Sequence, residues 1–105
     1  MCMANKDIWT VFSDECPEVA TAYLNLFDAI KKTGNLDDKT LALILVGINS
    51  TTRDPLSTRF WSRRALAAGA TKKEVESASL LAWCQGLSSA EMSIPLIIDL
   101  EKPSA

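Results

Sequence analysis

Helix-start signals recur along this chain, and they constrain its fold more than any other sequence feature. Each apolar stretch between residues 17 and 82 begins with a proline or a capping side chain: Pro17, Asp37 or Asp38, Asp54 followed by Pro55, and Thr71 with Glu74. Proline suits the first position of a helix, where no N–H is needed, and Thr-x-x-Glu satisfies two free N–H groups. Apolar residues then recur at spacings of three and four. The pattern predicts an all-α fold of five to six helices.

The apolar spacing also predicts which helix faces reach a core. Leu41–Ile48 is almost continuously apolar and runs too long for a strand, so we expect a helix buried on most sides. Gly47 would weaken that helix unless another backbone packs close to it. Asn49–Asp54 is polar and should connect to the next helix. The other predicted inner faces are Val19, Tyr23, Leu24, Phe27 and Ile30; Phe60, Trp61, Ala65 and Leu66; and Val75, Ala78, Leu81 and Ala82.

The two ends of the chain give weaker signals. Ile8–Phe12 predicts a short helical turn. Near the C-terminus, Gly86–Ser89 should break the helical pattern, with Ser88 or Ser89 capping a last helix that holds Met92, Leu96, Ile97 and Leu100. Pro95 should interrupt that helix or fall in its first turns.

Composition mainly excludes functions. None of the 105 residues is a histidine, so triads built on imidazole, His-based zinc sites and histidine general bases are ruled out. The net charge of −2 offers no electrostatic surface for nucleic acid. No apolar run reaches the ~18 residues of a membrane span, and residues 1–6 lack the apolar core of a secretory signal. We therefore expect a cytoplasmic protein that binds neither a membrane nor nucleic acid.

Three segments together resemble a known family. They are Pro17-Glu18, the Gly-Asn-Leu-Asp-Asp-Lys-Thr run at 34–40, and the Arg-Ala-Leu-Ala-Ala-Gly-Ala-Thr-Lys-Lys-Glu-Val run at 64–75. These segments resemble the carboxymuconolactone decarboxylase family, which includes the AhpD-like alkylhydroperoxidases, over roughly residues 17–95. The resemblance implies a compact AhpD-like helical bundle in a single domain, 1–105. It also implies assembly into a homo-trimer or homo-hexamer.

The resemblance further indicates where family chemistry would lie. The redox branch places a glutamate on the second long helix and a Cys-x-x-Cys-x-x-x-His motif at the start of the third. Counting back from Gly69, these positions fall on Ala42, Asp54, Ser57 and Trp61, so none of them has the family's functional group. The decarboxylase branch keeps a carboxylate and a histidine near the same helix start, where this chain has Ser57 and Trp61.

A few residues remain as weak candidates for a site. Cys84 could react with peroxide, although a buried cysteine acting as a small hydrophobe is commoner. Asp54 and Glu91 could move a proton, although Asp54 is more simply a helix cap. Arg53, Ser57, Arg59 and Trp61 could bind a small carboxylated ligand, because arginine pairs with carboxylates bidentately. Solvated arginines and a tryptophan in the core or at a subunit contact are the commoner outcome.

No cofactor or metal is expected. Cys2, Cys16 and Cys84 show no Cys-x-x-Cys spacing and are expected to be free thiols.

Three functions remain open. The first is a homo-oligomeric binding or scaffold module that lacks the thiol motif. The second is a non-redox enzyme acting on a small lactone or carboxylic acid, with arginines orienting the substrate. The third is peroxide reduction by Cys84 with an external thiol. The three tryptophans and the apolar segment 94–100 favour self-association, because such exposure is a liability in a small monomer.

Overall fold

The computed structural model describes residues 7–102, and six α-helices make up most of that range. They are α1 (Ile8–Glu15), α2 (Pro17–Thr33), α3 (Asp38–Thr51), α4 (Pro55–Ala67), α5 (Lys72–Leu80) and α6 (Ala82–Asp99). No strand occurs within residues 7–102, which confirms the all-α prediction. The chain forms two compact units, one ending at Leu36 and the other beginning at Asp37. That the whole chain is one domain stays a prediction.

The starts of α2 to α5 lie where the capping signals predict them. The Asp37 carboxylate accepts from the Thr40 N–H at 2.7 Å. The Thr71 hydroxyl accepts from the Glu74 N–H at 3.1 Å, and the Glu74 carboxylate accepts from the Thr71 N–H at 2.8 Å. Pro17 and Pro55 stand at the heads of α2 and α4. These caps are local contacts across three residues, which is why sequence alone identifies them.

In the first unit, aromatic rings join α1 to α2. The Trp9 and Tyr23 ring centroids lie 5.7 Å apart, and Tyr23 lies 6.1 Å from Phe27. Ala20 is the buried residue of α2. Val19, Leu24 and Ile30 are each more than half exposed, so the prediction that this face reaches a core is wrong for them.

In the second unit, α3 is the central helix and contacts α4, α5 and α6. Its buried residues are Leu41, Ala42 and Val46. A Cβ added at Gly47 would lie 3.3 Å from the Ala78 carbonyl oxygen of α5, which confirms that another backbone packs close there. Ile44 and Ile48 are about half exposed. The prediction that α3 is buried on most sides is therefore wrong for the face that carries these two residues.

The connection between α3 and α4 is shorter than predicted. Asn49, Ser50 and Thr51 belong to α3. Within it, the Asn49 amide and the Thr51 hydroxyl donate to carbonyls four residues earlier, on Leu45 and Gly47. Only residues 52–54 connect the helices, and Arg53 adopts a left-handed backbone with φ 59°.

The predicted inner faces of α4 and α5 are only partly buried. Ala65 is fully buried and Ala78 is buried, whereas Phe60 and Leu66 are more than 40% exposed. Leu81, predicted to be buried, is 65% exposed because α5 ends before it.

The predicted break at Gly86–Ser89 is wrong. The chain turns at Leu81 instead, and α6 continues through Gly86, where a single glycine costs a helix only about 1 kcal/mol. The Ser89 hydroxyl donates to the Gln85 carbonyl within the helix and caps nothing. Pro95 lies inside α6, which continues to Asp99.

Candidate functional site

Asp54 and Ser57 lie together at the start of α4. The Asp54 Oδ1 accepts from the Ser57 N–H at 3.0 Å, so Asp54 is the N-cap of the helix. This backbone hydrogen bond holds the pKa of Asp54 below its ordinary value of 3.8. A general acid near neutral pH would need a raised pKa, so Asp54 is suited to capping rather than to giving up a proton.

Titrating this cap gives a testable effect on stability. The pKa of Asp54 is lower in the folded protein than its ordinary value of 3.8, so the folded state binds fewer protons near that pH. The ionised cap therefore stabilises the fold above about pH 4, and this stability is lost as the pH falls through the folded-state pKa. Asparagine caps equally well and does not titrate.

We expect Asp54→Asn to unfold at nearly the wild-type temperature at pH 7 and to lose less stability than wild type from pH 5 to pH 2. Thermal melts across that range measure the difference. Glu101→Gln, also exposed, is the control for removing one carboxylate. Parallel pH curves for wild type and Asp54→Asn would contradict the prediction.

The other weak candidates lie on exposed surfaces. Arg53 is exposed in the α3–α4 connection, Arg59 is exposed on α4, and Glu91 is exposed on α6. Cys84 is an exposed free thiol, so the expectation of a buried small hydrophobe is wrong. Cys16 is likewise exposed and free, which confirms free thiols at both positions. Cys2 lies outside the described residues.

Ala42 and Trp61 belong to the same packed region of the second unit. Ala42 is 1% exposed and forms the centre of a core cluster with Ala65 and Ala70. Trp61 is half-buried and packs against this cluster. The Trp61 ring also meets Phe60 edge to face with centroids 5.1 Å apart. Both positions are therefore filled by packing side chains.

A groove between α3 and α5 is the concave feature that sequence reasoning missed. Its volume is about 650 Å³. The groove is lined by Leu43, Ile44, Gly47, Ile48, Thr51, Lys73, Glu74, Ser77, Ala78 and Leu81, none of which is a predicted site residue. The available signal was Gly47, whose missing side chain brings α5 close and leaves Ile44 and Ile48 beside the gap.

Charged side chains at the edge of the groove are already paired. Lys73 Nζ lies 3.2 Å from Glu76, and Lys39 Nζ lies 2.9 Å from Glu74. The Thr71 N–H, and secondly Lys39, hold the pKa of Glu74 below its ordinary value. The groove therefore combines an apolar lining with charged side chains at its edge that are paired with opposite charges.

The helices that contribute Ala42 and Trp61 lie in a segment that matches a known protein family. The model of the carboxymuconolactone decarboxylase family matches residues 17–94. The chain belongs to this family.

A solved structure also supports the membership of this chain in the carboxymuconolactone decarboxylase family. A crystal structure of a protein from Methanobacterium thermoautotrophicum is 31% identical, with a TM-score of 0.70. The match covers 82% of this chain and 97% of that one. No curated protein matches the chain. The match over residues 17–94 confirms the predicted resemblance over roughly 17–95.

In this family member, the four predicted motif positions occupy two places. Ala42 and Trp61 share the core cluster, and Asp54 and Ser57 share the cap of α4. Within residues 7–102, no group of three or more Cys, Asp or Glu side chains is arranged to hold a metal ion. No helix in that range is long and apolar enough to cross a membrane.

Proposed function

We propose that this member of the carboxymuconolactone decarboxylase family lacks the thiol peroxidase motif and acts as a homo-oligomeric small-molecule-binding or scaffold module. The proposal is supported by the residues that occupy the positions where the resemblance predicts the functional groups of the redox branch. Ala42, where the redox branch has a glutamate, is 1% exposed and packed into the core. Asp54, where that branch has a cysteine, caps α4.

The chemistry of the remaining thiols agrees with this proposal. Thiol peroxidases depend on a thiolate with a lowered pKa and on a second thiol that resolves the oxidised first. The sequence has no histidine to act as the base, and Cys16 and Cys84 are free, exposed thiols. Unpaired thiols also suit a reducing compartment, so the proposal includes a cytoplasmic location.

Exposed apolar surface supports the assembly part of the proposal. α6 has no buried residue although it is rich in large apolar side chains. Val19, Leu24, Leu26 and Ile30 of α2 are also each more than half exposed. Large apolar side chains exposed in this number favour an interaction with a partner, because leaving them in water is unfavourable.

The groove between α3 and α5 supports the binding part. Its volume of about 650 Å³ falls in the range of small-molecule sites, roughly 300–1,000 Å³. The Ile44 and Ile48 side chains give it apolar walls, and Thr51 and Ser77 place hydroxyl groups in its lining. An apolar small molecule with one or two polar groups is the ligand that such a lining suits.

Peroxide consumption with a dithiol reductant tests the absence of thiol chemistry. We expect wild type and Cys84→Ser to turn over no faster than buffer, with Cys16→Ser as the matched control for losing an exposed thiol. Turnover that disappears in Cys84→Ser alone would overturn the proposal and assign peroxide reduction to Cys84.

Native mass spectrometry of wild type tests the assembly part of the proposal. A monomer would contradict a homo-oligomer.

A further inference from the structure

The positive charge of this chain is concentrated in one short segment. All four arginines lie within residues 53–64, and Lys72 and Lys73 follow them. Asp54 is the only carboxylate between residues 53 and 73, and its side chain caps α4. Outside this segment the chain has 12 acidic and 5 basic residues. The net charge of −2 is therefore the sum of a strongly basic segment and an acidic remainder.

Helix α4 carries three of these arginines on its exposed side. Ala65 is fully buried and Trp61 is half-buried, which fixes the inner side of the helix. The exposed side chains include Leu56, Arg59, Phe60, Arg63 and Arg64. Residues three and four apart are neighbours on a helix surface, so these five form one continuous surface. We call it the arginine face, and it extends about 12 Å along the helix axis.

The arginines of this face have no acidic partner in the chain. No carboxylate within residues 7–102 lies at ion-pair distance from Arg59, Arg63 or Arg64. Helix α4 itself has no acidic residue. Arg59 and Arg63 are one turn apart, and like charges at that spacing destabilise a helix. A carboxylate bound beside both would remove this repulsion.

Phe60 restrains the third arginine. The Arg64 guanidinium carbon lies 5.2 Å from the centroid of the Phe60 ring. Stacking uses the flat side of a guanidinium and leaves its N–H groups, which lie in its plane, able to pair with a carboxylate. An arginine held in this way loses less side-chain freedom on binding. Leu56, one turn before Phe60, is 58% exposed, so the face combines positive charge with apolar surface.

We propose that the arginine face docks an acidic helical segment of a different protein, with carboxylates one turn apart and apolar side chains between them. Carboxylates at that spacing match Arg59 and Arg63, because arginine binds carboxylates bidentately. Apolar side chains of the same segment would cover Leu56 and the exposed part of Phe60. The inference needs neither the groove nor the homo-oligomer of the proposed function.

The surroundings of the face favour a protein over nucleic acid or a lipid surface. A phosphate backbone offers no apolar counterpart to Leu56, and beyond α4 it would meet a chain rich in carboxylates. Insertion into a lipid surface needs a wide apolar face, whereas Trp61 of α4 packs inwards against the core cluster. The contact is small, so we expect a transient complex whose affinity falls as salt rises.

A labelled peptide tests the face. The probe is a helical peptide of alanine, leucine and glutamate with glutamates one turn apart, and fluorescence anisotropy measures its binding. We expect Arg59→Gln combined with Arg63→Gln to weaken binding about tenfold, because two ion pairs are lost. Lys32→Gln combined with Lys102→Gln removes the same charge from exposed positions elsewhere and should not change the affinity. Equal weakening by both pairs, or no binding to wild type, would overturn the proposal.

Changing the probe separates the classes of partner. A peptide with glutamine in place of glutamate should bind about tenfold more weakly, and one with alanine in place of leucine about fivefold more weakly. Tighter binding of an oligothymidylate, or of vesicles containing phosphatidylserine, would assign the face to another class of partner and overturn the proposal.

Native mass spectrometry separates a foreign partner from a second copy of this chain. We expect Arg59→Gln combined with Arg63→Gln to keep the wild-type mass, because the face is open in the assembled protein. A lower mass would show that a second copy occupies the arginine face, and it would overturn the proposal.

Discussion

Replacing Ala42 with glutamate should lower the free energy of unfolding by about 3–5 kcal/mol, because it would leave an unpaired charge in the interior. Ala42 is 1% exposed and contacts other small core residues, so the longer side chain would also overpack the site. Urea unfolding followed by circular dichroism measures the loss. The change introduces a carboxylate at the position where the family resemblance predicts the glutamate of the redox branch, so it also tests whether a pocket exists at this place.

Ile44→Glu is the matched control for this substitution. Ile44 lies on the same helix and is 46% exposed, so the same charge there stays in water and should cost much less. A stable Ala42→Glu variant whose new carboxyl titrates well above its ordinary range would contradict the filled-core interpretation. It would indicate a pocket that admits the side chain.

Replacing Trp61 with alanine should destabilise the second unit by about 2–3 kcal/mol, less than the 3–5 kcal/mol of a fully buried tryptophan. The ring packs against the core cluster of Ala42, Ala65 and Ala70, and its removal leaves a gap that helices α3 and α4 fill only in part. Thermal melts and native mass measure the effects on stability and assembly. The rate at which Cys84 reacts with an aromatic disulfide should not change.

Trp83→Ala provides the contrast. Trp83 is 79% exposed on α6, among the apolar side chains that support the assembly proposal, so its loss should weaken assembly while leaving the stability of the dissociated chain unchanged. An unchanged melting temperature and mass in Trp61→Ala would contradict a structural role for that ring.

The starts of α2 to α5 follow from short-range chemistry. Asp37, Asp54 and Thr71 cap their helices through contacts three residues along the chain, and Pro17 and Pro55 need no partner at all. The need for a close backbone at Gly47 was also readable, although the partner helix was not. These features depend on near neighbours in sequence, so the sequence predicts them correctly.

Burial was predicted less well, because it depends on what lies across from each face. Leu24, Leu81 and Cys84 have the residue types of a core, yet all three are exposed in the chain. Gly86 looks like a helix end, but the flanking residues keep α6 helical through it. Apolar spacing gives the direction of a face and does not say whether a partner covers it.

The sequence by itself determined the all-α class, the starts of α2 to α5, the lack of histidine and the family resemblance, because these depend on residue identity and local hydrogen bonds. Only the tertiary structure decided that Ala42 and Trp61 share one packed cluster, that a groove opens between α3 and α5, and that α6 runs unbroken and exposed. Those outcomes depend on helices brought together from distant parts of the chain, where packing decides which side chains meet and which stay in water.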